Sequence, residues 1–137
     1  MSTFRIIVFS IILLSFSSVG WGADWQFVFQ DRTSSYYYDK DDLTQKSKKI
    51  IQVWIKRNLK NRPEGIEEKY KGVDHIISLE EYDCARHQQR TISLTTYDQD
   101  GKTVRSDHYK KAKWDYIDSD SATDGLLRYT CKKKRLL

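Results

Sequence analysis

The chain has 137 residues, with 24 lysines and arginines against 19 aspartates and glutamates, two cysteines, one proline and six glycines. So few prolines and glycines leave no room for a long linker, no repeat or low-complexity segment is present, and the length fits one small domain behind a leader. Setting aside Arg5 and the run Lys132, Lys133, Lys134 and Arg135 leaves 19 basic against 19 acidic side chains, so the pI near 9.1 describes a basic C-terminal tail and not a nucleic-acid-binding domain.

Residues 1–22 read as a secretory leader. Arg5 supplies the positive start, Ile6–Phe16 is an apolar run interrupted only by serine, and Gly20 and Gly22 are the small residues ahead of the cleavage point. The apolar run is about half the ~20 residues that a spanning helix needs, so no membrane span is expected after cleavage. No cysteine lies near the cleavage point to carry a lipid. The expected mature chain, 23–137, is a single exported domain ending in a basic tail (132–137), placed in the periplasm, the medium or the outer surface of a bacterium.

Trp25–Gln30 (WQFVFQ) has the aromatic and branched composition of a strand. SSYYYDKDDL follows, with three consecutive tyrosines. In the next run Ile51, Val53 and Ile55 fall on one face and Ile50, Gln52 and Trp54 on the other, and the polar TQKSKK before it reads as a hairpin turn. Asn61–Glu68, with Pro63 and Gly65, reads as a loop. Ile76, Ser78, Glu80, Tyr82 and Cys84 share one face of a further strand. RTISLTTYDQDGKTVRSDHY sets two β-rich runs around Asp100-Gly101, a strong hairpin signal. In SDSATDGLLRYTCKK, Ser121 stands three before Asp124, a relative of the capping box, and Thr123, Leu127 and Cys131 form one helical stripe. Gly125 weakens that helix by up to about 1 kcal/mol.

Cys84 and Cys131 are the two cysteines, and both survive leader removal. In an oxidising compartment they permit one intramolecular pairing and predict a structural disulfide. Closing a loop of about 48 residues is worth about 4 kcal/mol in the chain-entropy model. A redox pair or metal site would call for CxxC spacing or a nearby histidine pair, and neither is present. The expected fold class is α+β, mainly β: an antiparallel meander of about six strands with one C-terminal helix packed on it and tethered by the disulfide. The helix and the sheet's own curvature must cover the apolar face.

No catalytic set, metal site or cofactor site is expected. His75, His87 and His108 are isolated, and no phosphate-binding glycine loop occurs. Ser106, Asp107 and His108 carry the letters of a hydrolase triad, but adjacent strand residues point to opposite faces, and Glu80–Glu81 fails as a carboxylate pair for the same reason. The candidate binding residues are Tyr36, Tyr37 and Tyr38 as a stacking surface, Lys56, Arg57, Lys60 and Arg62 at a strand end, and Lys132, Lys133, Lys134 and Arg135 for an anionic polymer. The competing readings are a strand with one ring buried, a solvated strand end and a frayed terminus.

The succession "DW" and strand, "YYYD" with "DL", "VWIK", "EEYDC", "RTISLTTYDQDGK", a tryptophan, an acidic-serine helix start and a final cysteine resembles the bacterial surface-adhesin protein E family, over about Asp24 to Cys131. The resemblance implies an antiparallel sheet with a disulfide-tethered C-terminal helix, and carries the bridge onto Cys84 and Cys131. It sets Trp25, Trp54 and Trp114 at the family's recurring tryptophans, which are expected in the core. It further implies a non-enzymatic exported binding module whose partner is a host matrix protein, an envelope protein or an anionic polysaccharide, with a dimer compatible and no nucleic acid. The alternative is a periplasmic structural protein acting within an envelope complex.

Overall fold

The computed structural model describes residues 22–60 and 70–137. The leader up to residue 21, the Asn61–Glu68 loop and Arg62 lie outside the described residues. Six strands follow one another: β1 (Trp25–Gln30), β2 (Ser34–Gln45), β3 (Ile50–Leu59), β4 (His75–Asp83), β5 (Gln88–Tyr97) and β6 (Thr103–His108). Each pairs antiparallel with the next, as sequential hairpins dictate. A two-residue strand, β7 (Asp115–Tyr116), returns to β5 at Gln88 and Gln89. The helix α1 (Ala122–Lys133) closes the fold.

The alternation read in β3 sets the inner face. Ile51, Val53 and Ile55 lie opposite Tyr82, Glu80 and Ser78 of β4, and Tyr38 and Leu43 of β2 complete the row. Leu126, Leu127 and Cys131 of α1 cover them, and Ile117 joins from the segment before the helix. The helix touches strands at both sides of the sheet. Gly125 lies under the Phe29 ring of β1, Tyr129 meets Tyr38 of β2 edge-on at 5.6 Å, and Asp124 bonds His87 just before β5 at 2.9 Å. A flat sheet from β1 to β5 would span about 19 Å, nearly twice a helix's ~10 Å diameter, so the sheet must curl around α1. Register shifts at Phe27/Phe29, Tyr38/Leu43, Leu79/Glu80 and Thr96/Tyr97 supply the local bending.

Cys84, just past β4, is bonded to Cys131 in the helix, with a Cα–Cα separation of 5.9 Å, and both residues are buried. At its start α1 is capped by Ser121, whose Oγ accepts the Asp124 N–H at 3.1 Å, while the Asp124 carboxylate accepts the Asp120 N–H at 3.1 Å. At its end the Leu136 N–H bonds the Cys131 carbonyl and the Arg135 N–H bonds the Lys132 carbonyl, both at 2.9 Å, with Arg135 in the left-handed region (φ 55). This is a Schellman closure, and Leu136 packs back on the core. The basic run is therefore the ordered end of the helix, not a frayed tail.

Candidate functional site

With α1 and the core on the inner face, no described helix or strand is layered on the outer one. The pairing register lines up Phe27, Tyr37, Lys56, Ile77, Thr95 and Ser106 in one row from β1 to β6. Trp54, Leu79, Ser93 and His108 form the parallel row beside it. Phe27 is 53% exposed and meets Tyr37 edge-to-face at 5.7 Å. The Lys56 ammonium stands 5.9 Å from the Trp25 ring, and the Thr95 and Ser106 hydroxyls are 3.1 Å apart. The face thus grades from aromatic at β1–β3 to hydroxyl-bearing at β5–β6.

A third row fixes the outer face below these two. Arg90 Nε and Nη2 both lie 2.6 Å from Glu81 Oε1, Gln52 Nε2 donates to Glu81 Oε2 at 3.3 Å, and Trp114 lies against the Arg90 guanidinium at 4.5 Å. This corrects the tryptophan expectation. Trp25, Trp54 and Trp114 are half-buried and none belongs to the core. Trp54 alternates with Val53 and Ile55, which face the helix, so the pleat turns it outward.

Two of the three tyrosines turn inward, against the single buried ring of the competing reading: Tyr36 is 6% exposed and Tyr38 5% exposed, while Tyr37 stands on the outer face. Tyr36 stacks on Phe29 at 4.8 Å and donates to Asp31 at 3.2 Å, and burial raises its phenol above the ordinary value. Arg57 follows Tyr36 to the inner side, where its Nε donates to Ser34 Oγ at 2.8 Å. Lys56 stays outside, and Lys60 is exposed at the strand end with Nζ donating to Gln30 Oε1 at 2.8 Å. Of the predicted surface, the outer face brings together Tyr37 and Lys56, while Lys132, Lys133, Lys134 and Arg135 gather at the end of α1. Trp25, Phe27 and Trp54 were missed as surface residues, although the period-two alternation around Val53 and Ile55 carried the signal for Trp54.

Several further ionisable groups among the described residues are tied into the structure. Glu80 points inward and accepts Thr91 Oγ1 at 2.9 Å, and burial pushes its carboxyl up to about 7. Glu81 points outward to Arg90, so the adjacent glutamates occupy opposite faces as the pleat requires. Ser106 and His108 share the outer face, whereas Asp107 turns to the other side and pairs with Arg105 at 2.7 Å. His75 bonds Asp74 at 2.8 Å and stacks on Tyr97 at 4.8 Å, and His87 holds Asp124. Burial opposes ionisation of Asp124, but the Asp120 N–H, Arg128 and His87 together hold its carboxyl below the ordinary value. Among the described residues no three histidine, cysteine, aspartate or glutamate side chains gather where a metal ion would fit, and no helix is long and apolar enough to cross a membrane.

A family model described as surface-adhesin protein E matches residues 25–132. Among solved structures, Haemophilus influenzae protein E is similar at 15% identity, with a TM-score of 0.54, covering 82% of this chain and 89% of that one. Its selenomethionine form is similar at 12% identity and a TM-score of 0.53, covering 81% and 91%. At such identities the likeness shows a shared fold. No match is found among curated proteins. The family match spans nearly all of the sheet and the helix through its disulfide, and the chain belongs to the surface-adhesin protein E family.

Proposed function

We propose that the protein is an exported, non-enzymatic binding module of adhesin type, and that the outer face of its sheet holds a protein partner. The observation that carries this reading is the unlayered row from Phe27 to Ser106. An exposed phenylalanine and half-buried aromatic rings beside a lysine, on a rigid backbone, have the composition of a protein interface core. Because the sheet fixes these side chains in advance, little ordering cost opposes association. The leader and membership in a surface-adhesin family support export. A non-catalytic role is supported by Glu80, Glu81, Asp107, His75, His87 and Asp124, whose partners hold structure.

The test is saturable binding of the exported, disulfide-bonded protein to immobilised matrix proteins, alongside crosslinking in the native cell. Phe27→Ser with Tyr37→Ser is expected to weaken capture by about tenfold or more while the protein stays folded, at a stability cost of about 1–2 kcal/mol from the lost ring pair. Crosslinks to an inner envelope protein, with no surface exposure of the chain to added protease, would favour a structural role within an envelope complex. No saturable binding to any protein partner overturns the reading.

A further inference from the structure

The basic run at the end of α1 is ordered, and the fold brings a second basic segment to it. Lys132 and Lys133 occupy the last helical turn, Lys134 is the cap, and Arg135 takes the left-handed conformation where glycine is usual. The β2–β3 turn meets this end at two points. The Lys49 carbonyl accepts the Cys84 N–H at 2.8 Å, next to the bond from Cys84 to Cys131. Lys49 Nζ donates to the Leu136 carbonyl at 3.1 Å, across 87 residues of sequence. Segments 46–49, 84–87 and 131–137 contain no acidic side chain. Lys46, Lys48, Lys49, Lys132, Lys134 and Arg135 are all exposed.

Two features of this end work against stability. A helix dipole accounts for the cations in the last turn and the Leu136 carbonyl for Lys49, but neither accounts for Lys46 and Lys48 in the same turn, where like charges repel. An arginine in the left-handed region costs roughly 1 kcal/mol that glycine would avoid. Locally unfavourable choices gathered at one place point to a ligand that compensates for them.

We propose that this end of the molecule binds a densely charged anionic polysaccharide. Ammonium groups act as point charges toward sulfate and carboxylate groups, and cations drawn from separate segments suit a polymer longer than one headgroup. The Tyr129 ring on the same helix end is overlaid by Lys133 at 5.5 Å, so it is not a free platform for base stacking. Among the described residues Leu137 is the one exposed large apolar residue here, too little area to seat the patch in a bilayer. The proposal does not depend on the outer face.

Heparin is the probe, titrated against the exported, disulfide-bonded protein at increasing salt. Lys132→Glu with Lys134→Glu, and separately Lys46→Glu with Lys48→Glu, are each expected to weaken binding by about tenfold or more. Lys110→Glu with Lys111→Glu changes the net charge equally on the β6–β7 loop, and is expected to cost less than about twofold. The Phe27→Ser, Tyr37→Ser variant should bind heparin unchanged. The proposal is overturned if the loop control loses as much as the site variants, if the turn variant loses nothing, or if anionic vesicles or single-stranded DNA bind more tightly than heparin. Melting temperature and free-thiol content show that each variant compared is folded.

Discussion

Glu80 is a residue at which burial and charge are opposed. Its carboxyl faces the core beside Tyr82, with Thr91 as its hydrogen-bond donor, and burial favours the neutral form up to about pH 7. Its folded value lies above the ordinary value of 4.5, so the stability tied to its proton is fully present below pH 4.5 and is lost as pH rises through 7. The full span corresponds to about 3 kcal/mol. Glu80→Gln should therefore be more stable than the native protein by up to about 3 kcal/mol at pH 8.5 and differ little at pH 4.5, measured by chemical denaturation at both. A difference that does not change with pH would contradict this account. Asp124 works in the other direction: its carboxyl is held below 3.8, so its contribution is present above that value and fades as acid protonates it. That Glu80 and Glu81 face opposite ways was legible from the pleat alone. That one meets a threonine and the other an arginine was not, because pairing across β4 and β5 depends on the shift between Leu79 and Glu80.

At the scale of the element, α1 shows which helix signals survive in a sequence and which are hidden. Its start was legible, since Ser121 and Asp124 have the spacing of a cap. Its buried stripe was legible through Leu127 and Cys131, to which the structure adds Leu126 and Thr130. Its end was not, because the residue that closes the helix is an arginine and the usual marker there is glycine. Gly125 gains a reason beyond its low helix propensity: a Cβ there would lie 3.1 Å from Phe29, so the helix is thinnest where the edge strand crosses it. Arg135→Gly should relieve the left-handed backbone and stabilise the fold by roughly 0.5–1 kcal/mol, read as a rise in melting temperature. The same variant should bind heparin more weakly, so stability and affinity move in opposite directions. A fall in both would mean that the arginine side chain supports the fold itself.

For the whole molecule, the order of strands followed from consecutive hairpins, and WQFVFQ matched β1 to the residue. Curvature did not follow, because it resides in four register shifts that leave no compositional mark. The two residues of β7 are too few to show a period, and the exposure of the tryptophans depends on which face the helix covers. The disulfide acts at this scale, joining the sheet to a helix 47 residues further on. Cys84→Ser should cost up to about 4 kcal/mol and speed amide exchange throughout α1, and an unchanged melting temperature would contradict the tether. Mass spectrometry of the exported protein should detect no free thiol.

The row from Phe27 to Ser106 crosses the strands rather than running along them. Five inter-strand steps give it a length of about 24 Å. The backbone groups of β2 to β5 are already used in the ladder, so a partner reading the row meets side chains only. A ligand shorter than that distance reaches either the rings or the hydroxyls, and grips by one end. Small fragments of a true partner would then be poor mimics of it, released quickly however well each end fits. Full retention requires an object as wide as the sheet.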